Sequence, residues 1–199
     1  MKAIRPREYS DQMIFEGVSK ALIKYGYSNL SLSKIAKEAQ LSAAALSKRF
    51  GSKRGLLLAY YDYLTEITEQ SFKAIQQTDL SALNMLKQIF LLWTNQVENP
   101  VQFANMTSIY LQNNSDPEFI EKTRHRLKII DDEIQRILQI AIDSKEILEV
   151  DKKLLSRVLQ AAVTGAFLIW CKDSSLTPEE WVNDCFDVVF APYKIKNMH

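Results

Sequence analysis

Residues 31–50 of the sequence, SLSKIAKEAQLSAAALSKRF, decide the fold of the N-terminal part of the chain. Leu32, Ile35 and Ala39 follow the i, i+3, i+7 spacing that places apolar side chains on one face of a helix. Ser31 precedes them, at the position where a serine side chain caps the free amides of a helix N-terminus. The pattern therefore predicts a short amphipathic helix that begins directly after Ser31.

A second helical pattern follows after a very short connection. Ser42 occupies another capping position, and Leu46 and Phe50 behind it have the i, i+4 spacing of a buried helix face. Only Gln40 and Leu41 remain between the two helices, and so short a connection makes them cross steeply and share one small core. The stretch is therefore predicted to form a helix-turn-helix.

The second helix of this motif keeps an outward face that is small at its start and basic at its end. Such a face suits the DNA major groove, with its first residues against base edges and its basic end near phosphate. Two short helices joined by a turn also occur in many helical bundles, so the pattern by itself leaves a purely structural role open. The predicted outward residues are Ala43, Ala44, Ser47, Lys48 and Arg49.

Charge is divided unevenly along the sequence. The chain has a net charge of +1, but residues 1–55 have a net charge of +7 and the remainder has −6. A basic segment beside an acidic one is typical of a nucleic-acid-binding head on a body that does not bind nucleic acid. Chance variation in a modest sample is the alternative interpretation.

Further basic residues flank the motif. Lys2, Arg5 and Arg7 form an arm that is predicted either to reach a phosphate or the minor groove, or to be a solvated tail. A helix of about residues 11–25 follows and is predicted to complete a three-helix head. On the other side of the motif, Lys53 begins the next helix, whose free amides and positive dipole end attract anions. DNA phosphate is its predicted partner, and a solvated charge is the alternative.

These motifs together resemble the N-terminal domain of the TetR family of transcriptional repressors. The resemblance rests on the two caps, the turn and the helix after Phe50, and it covers about residues 9–60. It implies a homodimer, an operator with two half-sites, and a C-terminal domain that binds a small ligand and releases DNA. The residues predicted to contact DNA are Ser31, Ser42, Ala43, Ala44, Ser47, Lys48, Arg49 and Lys53.

The sequence departs from the family pattern in three ways. Gln40 occupies a turn position that is usually Gly in the family, and a left-handed backbone there would cost about 1 kcal/mol. Ser47 and Arg49 replace the two tyrosines that usually flank the position of Lys48, so DNA binding should depend more steeply on salt. The alanines at 43–45 leave few hydrogen-bond donors, so base reading is expected to rest on thymine methyl groups, Lys48 and DNA shape.

The rest of the chain is predicted to be an acidic, all-helical body. Capping residues and prolines mark the helix boundaries, and no alternating strand pattern competes with them. The six predicted body helices are residues 53–76, 81–97, 101–113, 118–144, 152–172 and 178–193. The sequence thus predicts an all-α protein, with a DNA-binding head over residues 1–52 and a ligand-binding and dimerisation body over residues 53–199.

Aromatic and flexible apolar side chains are concentrated in the middle helices of the body. Large rings with intermittent amides, such as Gln102 and Asn105, suit a pocket for a mostly apolar ligand. An ordinary aromatic core is the alternative, and the family resemblance favours the pocket. The candidate ligand-binding residues are Trp93, Phe103, Met106, Tyr110, Phe167 and Trp170.

The last two predicted helices have the composition of a dimer interface. Small residues in the first allow close helix approach, and two such helices from each of two chains would form a four-helix interface. Burial of the pair within one subunit is the alternative. We favour the interface because a palindromic operator requires a two-fold dimer with recognition helices about 34 Å apart. The candidates are Ala161, Ala162, Gly165, Ala166, Trp181 and Val189.

Other function classes find little support in the sequence. Cys171 and Cys185 lack metal-ligand spacing, and no phosphate loop, zinc motif or Gly-x-Ser-x-Gly occurs. The N-terminus lacks the apolar segment of a secretory signal, and the apolar stretch 158–171 is shorter than the roughly 20 residues that span a bilayer. We therefore expect a cytoplasmic, non-enzymatic regulator without metal or cofactor, whose partners are operator DNA, a small effector and a second copy. A helical scaffold with a purely structural helix-turn-helix is the alternative.

Overall fold

The computed structural model of the chain describes residues 10–112 and 115–195, and the predicted basic arm lies outside this part. Within it the regular structure is helical, which confirms the predicted all-α class. The helices are α1 Asp11–Tyr25, α2 Leu32–Glu38, α3 Ala43–Phe50, α4 Lys53–Ile75, α5 Ala82–Leu92, α6 Pro100–Gln112, α7 Pro117–Asp143, α8 Lys152–Trp170 and α9 Pro178–Phe190.

Helices α1, α2 and α3 form a three-helix head whose N-terminal caps are the serines predicted from the sequence. The Ser31 side chain accepts a hydrogen bond from the Lys34 amide, and Ser42 does the same for Ala45. Apolar side chains from the three helices meet the first half of α4 in one cluster, which we call the head core. Its fully buried members include Leu22, Ile35, Leu46, Leu57 and Tyr61.

Two backbone features allow the head helices to cross closely. Gln40 has a φ of +56°, so the backbone at this turn position is left-handed. This conformation fits the glycine that the family usually has there. A Cβ atom at Gly17 would lie 2.5 Å from the Cβ of Ala39. Only glycine therefore permits α1 and α2 to approach this closely.

The second half of α4 joins α5, α7, α8 and α9 in a separate cluster, the body core. Helix α4 is thus shared between head and body, with Tyr61 in the head core and Phe72 in the body core. Helix α6 is shared in the same way, since Phe103 belongs to the body core and Ile109 to the head core. Fully buried members of the body core include Leu86, Phe90, Ile134, Leu159, Phe167 and Phe190.

The predicted helix boundaries hold to within a few residues except at the end of α5. This helix ends at Leu92, not at residue 97 as the apolar pattern predicted. The Trp93 amide donates to Phe90 O and the Thr94 amide to Leu91 O. These i to i+3 bonds tighten the chain into a turn that an apolar periodicity does not distinguish from helix.

Polar contacts hold the head against the body. Asn105 of α6 donates to the carbonyl of Ile23 at 3.1 Å, and Ser108 Oγ accepts from the Tyr27 amide at 3.0 Å. Arg54 near the start of α4 pairs with Asp116, whose nearest oxygen is 2.8 Å away. Asn105, an amide that the sequence suggested for a pocket, thus binds the end of α1.

Candidate nucleic-acid interface

Burial of one side of α3 determines which residues face outward. Leu46 is fully buried, and Phe50 and Ala43 pack against the head core beside it. Ala43 is half-buried because residues 43, 46 and 50 share one helix face by their i, i+3, i+7 spacing. The side chains that α3 exposes are Ala44, Ala45, Ser47, Lys48 and Arg49.

The two basic residues of α3 differ in their surroundings. Lys48 is exposed, and no ion pair or side-chain hydrogen bond to it occurs within the described part of the chain. Arg49 is held by Asp11, with Arg49 Nε 2.6 Å from Asp11 Oδ1. Hydrogen bonding to Asp11 raises the pKa of the Arg49 guanidinium. Lys48 is thus available to a phosphate or base, whereas Arg49 has a competing partner.

Lys53 is half-buried at the start of α4 and does not extend freely into solvent. Its Nζ lies 3.4 Å from the carbonyl oxygen of Tyr27 and 4.6 Å from the centroid of the Tyr27 ring. Burial lowers the pKa of the Lys53 ammonium group. Tyr27 therefore positions Lys53 beside the α4 N-terminus. Helical periodicity could not predict this role of Tyr27, because the residue lies in the α1–α2 loop.

The three serines of the predicted interface all take part in local hydrogen bonds. Ser31 and Ser42 cap α2 and α3 with distances of 3.3 Å and 3.1 Å to the amides they accept from. Ser47 Oγ donates to the Gly51 carbonyl at 3.3 Å. Each serine thus shapes the motif, and Ser42 and Ser47 are also exposed on the same side as Lys48.

Residues 14–60 match the model of the family described as bacterial regulatory proteins, tetR family. The matched residues run from the first turn of α1, through the helix-turn-helix, into α4. The N-terminal domain belongs to the TetR family. The exposed side of α3 lies within this matched segment.

Solved structures of regulators share the complete TetR-family fold with this chain. A TetR transcription regulator from Haloarcula marismortui is 24% identical with a TM-score of 0.76, and the match covers 93% of this chain and 98% of that chain. FadR from Bacillus subtilis, solved with stearoyl-CoA, is 20% identical with a TM-score of 0.70, covering 92% and 98%. SmeT, the repressor of a Stenotrophomonas maltophilia multidrug efflux pump, is 16% identical with a TM-score of 0.68, covering 96% and 94%. No curated protein sequence gives a significant match.

The predicted ligand-binding residues are divided between the two cores of the chain. Phe103, Phe167 and Trp170 are buried in the body core, and the Phe103 ring centroid lies 5.5 Å from that of Phe167 and 5.8 Å from that of Trp170. Trp93 and Met106 are half-buried against the same core. Tyr110 instead packs against the head core, edge-on to Tyr61. The rings contact one another here, so a ligand at this site has to separate them.

The predicted dimer residues of α8 lie on two sides of that helix. Ala161 is exposed, and a Cβ added to Gly165 would meet nothing within 4 Å. Ala166 is 4% exposed, so its placement in a dimer interface is wrong because it faces the interior of its own subunit. Ala162, Trp181 and Val189 are half-buried. Large exposed apolar residues that composition alone did not single out are Leu154, Val158, Leu168, Ile169 and Val188.

Helix α8 also has the length and composition of a membrane span, with a mean hydropathy of 1.2. Its inward side, which includes Leu159, Val163 and Phe167, is buried in the body core. Packing against the rest of the body thus explains the apolar composition on this side of α8. The outward side is the apolar face described above.

An open cleft of about 260 Å³ lies between α1 and α4, away from the predicted ligand-binding residues. Carboxylates and aromatic rings line this cleft. Burial raises the pKa of Tyr63 there, and the negative charges of Glu16 and Glu66 raise it further. The ligand-binding prediction included none of its residues. The lining consists of Asp11, Gln12, Phe15, Tyr63, Glu66, Ile67 and Gln70.

Proposed function

We propose that this protein is a repressor that binds a palindromic operator as a homodimer and is released from it by a small, mostly apolar ligand. The observation that carries the DNA-binding part is the exposed side of α3, where Lys48 is unpaired within the described residues. Lys53 extends the positive charge to the N-terminus of α4. The TetR-family match supports operator DNA as the partner of this surface.

Homodimerisation is supported by the outward side of α8. Leu154, Val158, Ala161, Gly165 and Leu168 follow one another at spacings of three and four residues, so they form one continuous stripe on the helix. Leu154, Val158 and Leu168 are between 46% and 58% exposed. A contiguous apolar surface of this kind is typical of a protein–protein interface, and a two-fold dimer buries the same stripe from both chains.

The ligand-binding part of the proposal rests on the aromatic cluster of the body core. Phe103 and Phe167 lie between α6, which contacts the head, and α8, which carries the dimer stripe. A ligand that separates their rings moves α6, and α6 binds the C-terminal end of α1 through Asn105 and the Tyr27 amide just after it through Ser108. A cytoplasmic location follows from binding chromosomal DNA.

Salt-dependent DNA binding separates this function from a helical scaffold. The wild-type protein is titrated with a duplex of mixed sequence at several salt concentrations, with Lys48→Ala, Lys53→Ala and Lys73→Ala as variants. Each phosphate contact that is lost lowers the slope of log affinity against log salt by about 1. We expect that decrease for Lys48→Ala and Lys53→Ala, and no change for Lys73→Ala, which removes the same charge from the exposed far end of α4. Equal slopes for all four proteins would contradict the proposed DNA surface.

A further inference from the structure

A layer of polar side chains separates the head core from the body core. Thr68 of α4, Tyr110 of α6 and Arg126 of α7 meet in this layer. Arg126 Nε donates to Thr68 Oγ1 at 2.8 Å, and Arg126 Nη1 donates to the hydroxyl of Tyr110. The guanidinium carbon lies 5.7 Å from the centroid of the Tyr110 ring.

The positions of these residues on their helices are ones that apolar side chains normally occupy. On α7, Arg126 lies seven residues after Phe119 and four before Ile130, and both of these are buried. On α4, Thr68 has the same spacing from the buried residues Tyr61 and Phe72. Seven- and four-residue spacings keep side chains on one helix face. The cationic side chain of Arg126 therefore points between the helices.

Arg126 has no carboxylate within ion-pair distance in the described part of the chain, unlike its neighbours on α7. Lys122 pairs with Asp62, and Lys128 pairs with Asp132, although both pairs are closer to solvent. A half-buried cation without a counterion is unfavourable, and it is retained only where another requirement outweighs that cost.

We propose that the layer binds the acid group of an amphipathic anionic effector, a carboxylate or phosphate monoester attached to an apolar chain. A planar guanidinium binds such a group through two parallel hydrogen bonds. The Tyr110 hydroxyl accepts a hydrogen bond from Arg126. Its own proton meets no acceptor among the described residues, so the hydroxyl offers the acid group a third hydrogen-bond donor. This inference rests on the proposed ligand-binding function and specifies the chemical class of the ligand.

The aromatic cluster is the nearest apolar site for the alkyl chain of the effector, because both the layer and the cluster include residues of α6. Met106 and Phe103 lie one and two turns before Tyr110 on α6, which places Phe103 about 10 Å from Tyr110 along the helix axis. Phe103 contacts the rings of Phe167 and Trp170. Met106 is half-buried against the body core, and its unbranched side chain adapts readily to a new neighbour. An alkyl chain of about ten carbons spans this distance.

The test uses the full chain without DNA and four probes with the same alkyl chain: decanoate, decyl phosphate, decanol and decyltrimethylammonium. Binding is followed by tryptophan fluorescence and by the shift in melting temperature. We expect saturable binding of an anion, at least about tenfold tighter than decanol, because a hydrogen-bonded charge pair contributes an effect of this size. Comparison of decanoate with decyl phosphate identifies which acid group the layer prefers. Equal affinity for decanol and both anions, or no saturable binding of either anion, would overturn the proposal.

Variants of α7 show whether Arg126 carries this selectivity. Arg126→Gln should reduce anion affinity to that of decanol, whereas Arg124→Gln, which removes the same charge from an exposed position two residues away, should leave it unchanged. Arg126→Met should raise the melting temperature of the ligand-free protein, since it replaces an unpaired cation by an apolar side chain. Equal anion affinity of the two Gln variants would contradict the inference, as would a lower melting temperature of Arg126→Met. Because no DNA is present, these results are independent of the proposed operator binding.

Discussion

Arg49 at the end of α3 is bound to Asp11, the first residue of α1, with 2.6 Å between Arg49 Nε and Asp11 Oδ1. The two side chains are about half exposed, so solvent screens the pair and it contributes little to stability. The pair nevertheless places a carboxylate beside the basic end of the proposed DNA-binding surface. A phosphate at this end therefore competes with Asp11 for Arg49.

Asp11→Asn is expected to increase affinity for DNA by about threefold, because it releases Arg49 and removes a negative charge near the phosphate backbone. The measurement is a fluorescence anisotropy titration with one duplex at fixed, low salt. Glu69→Gln, an exposed change of the same charge on α4, serves as the control and should leave affinity unchanged. Unchanged or weaker binding of Asp11→Asn would mean that Arg49 does not meet phosphate.

Gln40→Gly is expected to raise the melting temperature. The backbone at this position has a φ of +56°, and a non-glycine residue in the left-handed region costs about 1 kcal/mol. For a chain of this size, that stabilisation corresponds to a rise of about 2–4 °C. Gln40→Ala keeps the Cβ and should show no such gain in the same thermal melt. Equal melting temperatures for the Gly and Ala variants would contradict this account of the turn.

Arg54→Gln should destabilise the protein at neutral pH and have a smaller effect in acid. Hydrogen bonding to Arg54 lowers the pKa of Asp116, so the pair stabilises the fold above the ordinary Asp pKa of about 3.9. This stabilisation is lost as the pH falls through the lower pKa of the folded state. Urea denaturation of both proteins at pH 7 and near pH 3 measures the difference, with Arg124→Gln as an exposed control. If Arg54→Gln lowered the free energy of unfolding equally at both pH values, the Asp116 carboxylate would not be the source of the effect.

Val158→Glu is expected to convert a dimer into a monomer. Val158 is 46% exposed in the middle of the α8 stripe, and a carboxylate there would face its own copy across a two-fold axis. Size-exclusion chromatography with light scattering should then give the 22.9 kDa of one chain. Val101→Glu places the same charge on a more exposed apolar residue of α6 and should remain dimeric. A wild-type protein that is already monomeric would contradict the interface.

The parts of this fold that depend on local sequence could be predicted from it. Ser31 and Ser42 cap helices because a cap acts on amides three residues away, and the spacing of Ile35 and Leu46 within their helices sets the inward faces. Ala43 is too small to give a clear hydrophobic signal, so the sequence did not indicate that it is half-buried. Its burial follows from contact with the head core.

The contacts between distant residues could not be predicted in this way. Asp11 and Arg49 are 38 residues apart, and Arg126 meets Thr68 across a separation of 58 residues. Periodicity places Arg126 on the inward face of α7, but it does not show which side chains of α4 and α6 face it. The division of α8 between Ala166 inside and Ala161 outside likewise depends on where α7 and α9 pack.

Selection of bound sequences from random duplexes by the purified protein tests the central claim most directly. A dimer that places one α3 helix in each of two successive major grooves selects an inverted repeat whose half-site centres are about 34–36 Å apart. We predict enrichment of such a repeat by the wild type and its loss with Lys48→Ala. No enriched sequence, or a single asymmetric site bound by one copy of the chain, would contradict a dimeric operator-binding regulator.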